Sequence, residues 1–256
     1  MARAFVNDDG MTVAAQASAI ITNVFGPYDY ALFSGSEIDL LQFTGQNYIN
    51  GNVHSNNSVK DSARIDGIVT AAGTIDGKIQ ATTKIPEYNN LAMPDFSKLK
   101  NTAAQIDQAT LLSYGATYKN GAYIMSPDIL NALLANFPNK TVYIDGDVTI
   151  NGSGVCSTGN LITSGDITFN GSGVDMNSGN GLCLATLTGD ISFDGGGGDF
   201  NGILFAPKGI IGFNGKIDVI KGSVIANSVK GNGGLTIYYN GDVKASLPDT
   251  EIMLVE

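Results

Sequence analysis

The sequence predicts a mainly β protein, a parallel β-helix (right-handed β-solenoid) with a small two-helix insertion. Two observations carry this expectation. One short phrase returns at nearly constant spacing, and Gly is abundant, 33 of 256 residues, without the every-third spacing of collagen. The phrase reads Gly146-Asp147-Val148-Thr149-Ile150-Asn151-Gly152, then Gly165-Asp166-Ile167-Thr168-Phe169-Asn170-Gly171, then Gly189-Asp190-Ile191-Ser192-Phe193-Asp194-Gly195. Gly209-Ile210-Ile211-Gly212-Phe213-Asn214-Gly215 continues it, and Ser228-Val229-Lys230-Gly231-Asn232-Gly233 is a looser copy. The starts lie 19, 24, 20 and 19 residues apart, close to one solenoid coil.

Each phrase is a short alternating strand closed by Asn-Gly or Asp-Gly turn chemistry. One such unit cannot bury its own apolar face, so the units must stack. Stacking at about 4.8 Å per coil puts Val148, Ile167, Ile191 and Ile210 in one inward column, with Ile150, Phe169, Phe193 and Gly212 beside it. Gly is expected at the corners for its access to positive φ, and Asn151, Asn170 and Asn214 for hydrogen bonds along the axis. Thr149, Thr168 and Ser192 form a single outward hydroxyl column, too narrow for an ice-binding face.

Looser units precede these: Ile38-Asp39-Leu40, Tyr48-Ile49-Asn50-Gly51-Asn52-Val53, Arg64-Ile65-Asp66-Gly67-Ile68-Val69 and Gly73-Thr74-Ile75-Asp76-Gly77. Residues 30–93 are therefore expected to be N-terminal coils and 141–245 C-terminal coils of one solenoid. Between them, residues 94–140 lose the Gly period and are expected to form a helical insertion packed along one side of the stack. Leu99, Ala103, Ile106 and Leu111 fall on one helical face. A second helix should open at Ser126-Pro127-Asp128, with Ser126 as cap and Pro127 at the first helical position, and stop at Phe137-Pro138. At the front, Val13, Ala15, Ala17, Ala19 and Ile21 alternate onto one face of a strand. At the back, residues 246–256 hold the apolar run Ile252-Met253-Leu254-Val255.

Charge narrows the partners. The net charge is -10 and only Arg3 and Arg64 are arginines, so no cationic surface is expected for nucleic acid or anionic lipid. Met11 to Phe25 is too short and too polar to cross a bilayer, and no direct membrane insertion is expected.

The string Tyr30-Ala31-Leu32-Phe33-Ser34-Gly35-Ser36, followed by Ile49-Asn50-Gly51-Asn52-Val53-His54-Ser55-Asn56, resembles the opening of solenoid ectodomains in bacterial Tad and type IV pilus-assembly proteins. Gly202-Ile203-Leu204-Phe205-Ala206-Pro207-Lys208-Gly209 and Gly222-Ser223-Val224-Ile225-Ala226-Asn227-Ser228-Val229 resemble their closing coils. In that family a transmembrane helix resembling a pilin leader precedes the ectodomain. The resemblance thus implies that residues 1–29 are a strand and linker following a missing anchor. It also implies an extracellular or cell-surface location and a structural or adhesive role. It implies no active site.

His54 is the only histidine, so any histidine-based triad or metal centre would run through it. A corner histidine bonded to backbone is the expected explanation. Asp147, Asp166 and Asp190 occupy equivalent places in successive coils and should stack about 5 Å apart. As solvated corner residues they would accept turn hydrogen bonds. As a cluster, together with Asp194 and Asp199 flanking Gly195-Gly196-Gly197-Gly198, they could hold a structural Ca²⁺. Paired carboxylates also suit a retaining glycosidase, but no arginine lies near the column and catalysis is not expected. Cys156 and Cys183 follow neighbouring repeats and could form a disulfide or remain thiols.

Two functions from different classes follow. The first is a non-enzymatic structural or adhesive rod whose partners are pilus or envelope proteins or further copies of itself. In the last case Val13, Ala15, Ala17, Ala19 and Ile21, or Ile252 and Leu254, would join copies by strand exchange into filaments. The second is a β-helix that binds or cleaves surface glycans, with Tyr118, Tyr123, Tyr238 and Tyr239 as stacking platforms. A binding face should show clustered exposed aromatics beside carboxylates; a plain rod should keep its tyrosines in the core or against the insertion.

Overall fold

The computed structural model describes residues 2–5, 14–17, 26–40, 47–95, 98–137, 140–156 and 159–242. Its body is a parallel β-solenoid of about ten rungs, with three sheets enclosing one apolar core. In the first sheet Val142, Leu161, Leu184, Leu204 and Val224 follow one another in register. The second holds the repeated phrase, with Val148, Ile167, Ile191 and Ile211 in one column and Ile150, Phe169, Phe193 and Phe213 in the next. In the third, Met176, Phe200, Ile220, Ile237, Ile49 and Ile65 line up.

The fourth phrase is one residue out of the expected phase. Ile211 and Phe213 face inward, not Ile210 and Gly212, and Gly212 continues the outward column of Ser192. Ile210 takes the corner place that Asp166 and Asp190 hold in earlier coils, its N–H donating to Asp190 Oδ1 at 2.7 Å.

Rung order is not chain order. Val224 lies beside Leu32, Val229 beside Ile38 and Ile237 beside Ile49, so the N-terminal coils stack on the far end of the C-terminal coils. Ser223 Oγ donates to the Tyr30 carbonyl at 2.6 Å and Ser34 Oγ to that of Asn227 at 2.9 Å, stitching the junction. The described solenoid strands begin mid-stack at Leu32–Ser34, run to one end at Gln80–Ile85, resume at the other end with Ala104–Ile106, and coil back to meet the first of them.

The expected insertion is thus a crossing followed by an end cap. Residues 86–95 and 98–103 lie as a strap along the outer face of the first sheet. Tyr88 N–H bonds the Ala71 carbonyl at 2.8 Å, Leu91 sits against Asn56, and Ala103 joins Tyr143 in an apolar cluster. Eight rungs separate Ala71 from the strand Ala104–Ile106, roughly 38 Å at about 4.8 Å per rung. The residues from Tyr88 to Ala103 reach at most about 50 Å when extended, so the strap has little slack. It covers Tyr143, Ile162, Phe205, Ile225 and Phe33, outward residues of the first sheet that are nonetheless buried.

The expected first helix is broken. Helix α1 (Leu99–Thr102) ends before the strand Ala104–Ile106, which pairs with Val142–Ile144, and Asp107 starts α2 (Gln108–Ser113) by accepting the Thr110 N–H at 2.8 Å. A strong N-cap at Asp107 stops the helical period from running through. The second helix forms as expected: α3 (Pro127–Asn136) has Ser126 as its cap. It buries Leu130, Leu133 and Leu134 in the core at the end of the stack, closing that end rather than lying along a side.

The opposite end finishes on Gln80–Ile85, whose Lys84 is in register with inward Val69. Lys84 Nζ donates to the carbonyls of Asp76 at 3.2 Å and Gly77 at 3.1 Å. An inward lysine on an edge strand blocks further strand addition. Lys84→Ile, which continues the valine column, is expected to pair end to end and roughly double the mass seen by light scattering. A variant as monodisperse as its parent would refute this role.

At the front, Ala2–Phe5 pairs antiparallel with Ala14–Ala17 in a separate two-stranded sheet, Ala15 opposite Ala4 and Ala17 opposite Ala2. Ala15 and Ala17, two of the residues expected to join copies, therefore already have an intramolecular strand partner. Val13, Ala19, Ile21, Ile252 and Leu254 lie outside the described residues.

The repeat glycines are there for space more than for positive φ. A Cβ on Gly165, Gly189 or Gly209 would run into the Asp147, Asp166 or Asp190 carboxylate of the coil beneath, and none of the three has positive φ. Asp166 N–H donates to Asp147 Oδ1 and Asp190 N–H to Asp166 Oδ1, each at 2.8 Å, which is why Gly-Asp recurs as a pair.

Candidate functional site

The outward face of the third sheet gathers side chains from both halves of the chain. Two-residue alternation points Tyr48, Asn50, Arg64 and Asp66 outward while Ile49 and Ile65 point in. Register places Thr236 beside Tyr48, Tyr238 beside Asn50, and Lys221 beside Tyr238. The Tyr48 and Tyr238 rings meet edge to face with centroids 5.7 Å apart, and the Arg64 guanidinium lies 5.6 Å from the Tyr48 centroid. Tyr48 Oη donates to Asp66 Oδ2 at 2.7 Å, Arg64 Nε donates to Asp66 Oδ1 at 3.1 Å, and Arg64 Nη2 donates to Oδ2 at 3.2 Å. The Tyr48 hydrogen bond, followed by Arg64, holds the Asp66 carboxyl below the usual carboxylate range. Tyr238 is 44% exposed. The cluster is a braced aromatic platform with a neutralised charge pair beside it.

Of the tyrosines expected as platforms, Tyr238 alone belongs to this cluster. Tyr123 is buried against exposed Tyr118 on the hairpin Thr117–Met125, and Tyr239 is half-buried with its hydroxyl on the Tyr28 carbonyl at 2.8 Å. Tyr48, Asn50, Arg64 and Asp66 were missed because only the stacking of one half on the other brings them to Tyr238. The available signal was the outward pairs Tyr48-x-Asn50 and Arg64-x-Asp66 in consecutive strands.

The carboxylates expected to hold Ca²⁺ do not converge. Asp147, Asp166 and Asp190 each accept a backbone N–H from the next coil, and Asp194 Oδ1 accepts from Asn214 Nδ2 at 2.7 Å. Asp199 donates its N–H to Asp175 Oδ1 one coil below. Among the described residues no three His, Cys, Asp or Glu side chains are placed to share a metal ion. One oxygen each of Asp147, Asp166, Asp190 and Asp194 is engaged by the next coil, which holds these carboxyls in a row along the axis rather than around a common point. The axial amide ladder joins Asn170 to Asn151 at 3.1 Å and Asn214 to Asp194. Cys183 is buried with Sγ 3.8 Å from the Met176 carbonyl; the Cys156 side chain, and with it the pairing of Cys156 with Cys183, lies outside the described residues.

His54 lies in the strand Val53–Ser55, fully buried beneath the strap, and its ring nitrogens meet side chains rather than the backbone expected for a corner histidine. Asn56 grips the strap at two points, Nδ2 donating to the Leu91 carbonyl and Oδ1 accepting the Leu91 N–H, both at 2.8 Å. That orientation makes Oδ1 an acceptor for His54 Nε2–H at 2.8 Å, so Nδ1 accepts from Thr70 Oγ1 at 2.7 Å. Phe33, Tyr30 and Tyr88 surround the ring. A histidine with both nitrogens engaged and no access to solvent works as a fastener.

Asp61, also buried, accepts through Oδ1 from Ser62 N–H, Ala63 N–H and Asn47 Nδ2, while its Oδ2 has no hydrogen-bond partner among the described residues. Burial pushes this carboxyl up to about 6 against those hydrogen bonds, and burial pushes His54 below its ordinary value. The raised carboxyl stabilises the fold fully below about pH 4 and loses that contribution as pH rises through about 6; the lowered imidazole stabilises fully above about pH 6.5 and loses it as pH falls. Asp61→Asn is therefore expected to match its parent near pH 4 and to exceed it by about 2–3 kcal/mol at pH 8, read from thermal melts across that range. A gap that does not change with pH would remove Asp61 as the titrating group.

Residues 71–246 match a family model described as "Domain of unknown function (DUF7305)". The chain belongs to this family. No curated protein matches it. The DUF7305 span takes in the strap, the α3 end cap and every C-terminal rung. The N-terminal strands that carry Tyr48, Asn50, Arg64 and Asp66 precede it, so the aromatic platform is shared between the DUF7305 span, which supplies Lys221 and Tyr238, and the coils stacked on its end.

Proposed function

We propose that this DUF7305 protein is a non-catalytic structural and adhesive rod of a bacterial pilus or cell envelope, presenting the third sheet outward. The observation that supports this reading most is the difference between the faces. The first sheet is sealed by a strap drawn from the same chain, whereas the third displays a braced aromatic cluster. The ends favour a discrete rod, since one carries α3 and the other an inward lysine. Ten rungs give a body of roughly 50 Å, a spacer that holds a surface at fixed orientation. The resemblance of its opening and closing coils to pilus-assembly ectodomains gives the setting.

Immunogold labelling of intact cells, combined with attachment assays on a strain lacking the protein, tests the reading. Surface label together with reduced attachment is expected. Label confined to the cell interior, or undiminished attachment, would overturn it.

A further inference from the structure

We propose that the third-sheet face centred on Tyr48 and Tyr238 binds a neutral, extended oligosaccharide laid along the solenoid axis. The proposal deepens the adhesive reading and rests on it for its biological setting.

Shape is the first argument. Asn177, Asn201, Lys221, Tyr238, Asn50 and Asp66 follow one another in register up the sheet. At about 4.8 Å per rung this stripe is long and narrow, matched to a linear ligand rather than a compact one. Its middle is an exposed tyrosine ring flanked by amides and a lysine, which is what a pyranose requires: an aromatic face for its axial C–H groups and donors and acceptors for its hydroxyls.

Charge is the second. Arg64 and Asp66 satisfy each other at 3.1 Å, leaving the platform near neutrality within a chain of net charge -10. A polyanion would meet Asp66 here and the exposed Asp199 further along the same face; a polycation would meet Arg64 and Lys221. A neutral chain meets neither penalty.

Preorganisation is the third. Tyr48 is held by Asp66 through its hydroxyl and by Arg64 over its ring, and Asn50 Nδ2 donates to the same hydroxyl at 3.4 Å. Ordering these side chains on binding therefore costs little.

Titration of the full chain with cellohexaose, chitohexaose and maltohexaose, followed by calorimetry and by Tyr chemical shifts, tests the proposal. At least one hexasaccharide is expected to bind. Tyr238→Ala, at an exposed position where folding is undisturbed, should weaken it by roughly tenfold, while Tyr118→Ala on the distant hairpin should leave it unchanged. Absence of binding by all three at millimolar concentration, equal binding by Tyr238→Ala, or binding only to an acidic polymer such as polygalacturonate would each overturn it. These are measurements in solution, so undiminished attachment of cells lacking the protein would sink the adhesive reading alone.

Discussion

Gly195→Ala is expected to destabilise the solenoid by about 3 kcal/mol, the upper part of the range for overpacking, whereas Gly196→Ala next to it should be nearly neutral. A Cβ on Gly195 would be driven into the Gly171 carbonyl of the coil below, and the same relation repeats between Gly171 and Gly152, Gly215 and Gly195, and Gly233 and Gly215. Relief requires the two coils to separate at that corner. This would stretch the bonds from Asp194 N–H and Gly195 N–H to the Phe169 carbonyl, now 2.8 and 3.3 Å. A methyl group on Gly196 would meet nothing within 4 Å, and this glycine has no positive φ, so its substitution removes only backbone freedom from the unfolded chain. Urea denaturation of the two variants separates space from conformation as the reason for glycine. Equal stability of both would show that the corners can move apart freely.

Phe193→Ala should cost about 4 kcal/mol. Its ring is buried between Phe169 and Phe213, with centroids 5.3 and 5.4 Å away and planes within 12° and 5° of parallel, and Phe200 meets it edge-on at 4.9 Å. Truncation leaves a cavity between two rungs, and the loss exceeds simple transfer because three ring contacts go with it. Phe193→Leu, which keeps most of the volume, should lose about 1.5 kcal/mol. The denaturant midpoint should fall without a change in slope, since the surface exposed on unfolding is nearly the same. A Phe193→Ala loss below that of Phe193→Leu would mean that the aromatic column adds nothing to the stack.

The aromatic column was legible in the sequence because it is local: Phe169 and Phe193 stand at the same place in one repeated phrase, and alternation alone points them inward. The Gly-Asp corners were legible as a pattern but not as a cause, since close approach between coils shows only when the coils are stacked. Ser126 and Pro127 announced α3 because capping involves neighbours in the chain. The strap and the order of the rungs were not legible. Nothing between Ile85 and Ala103 signals that this stretch traverses eight rungs, and the pairing of Val224 with Leu32 joins residues far apart in the chain. The aromatic platform shared this fate, because half of it comes from strands that reach Tyr238 only through that junction.

The junction also sets a timetable for folding. During synthesis the coils from Tyr30 to Ile85 emerge well before the strands on which they rest, Ile217–Gly231 and Leu235–Tyr239. Until then Leu32, Ile38 and Ile49 have Val53, Val59 and Ile65 on one side but lack Val224, Val229 and Ile237 on the other, and the long sequence separation makes the closing step entropically slow. Assembly of the two halves is therefore the late event, and the strap, which must lie across both, can be drawn tight only after it.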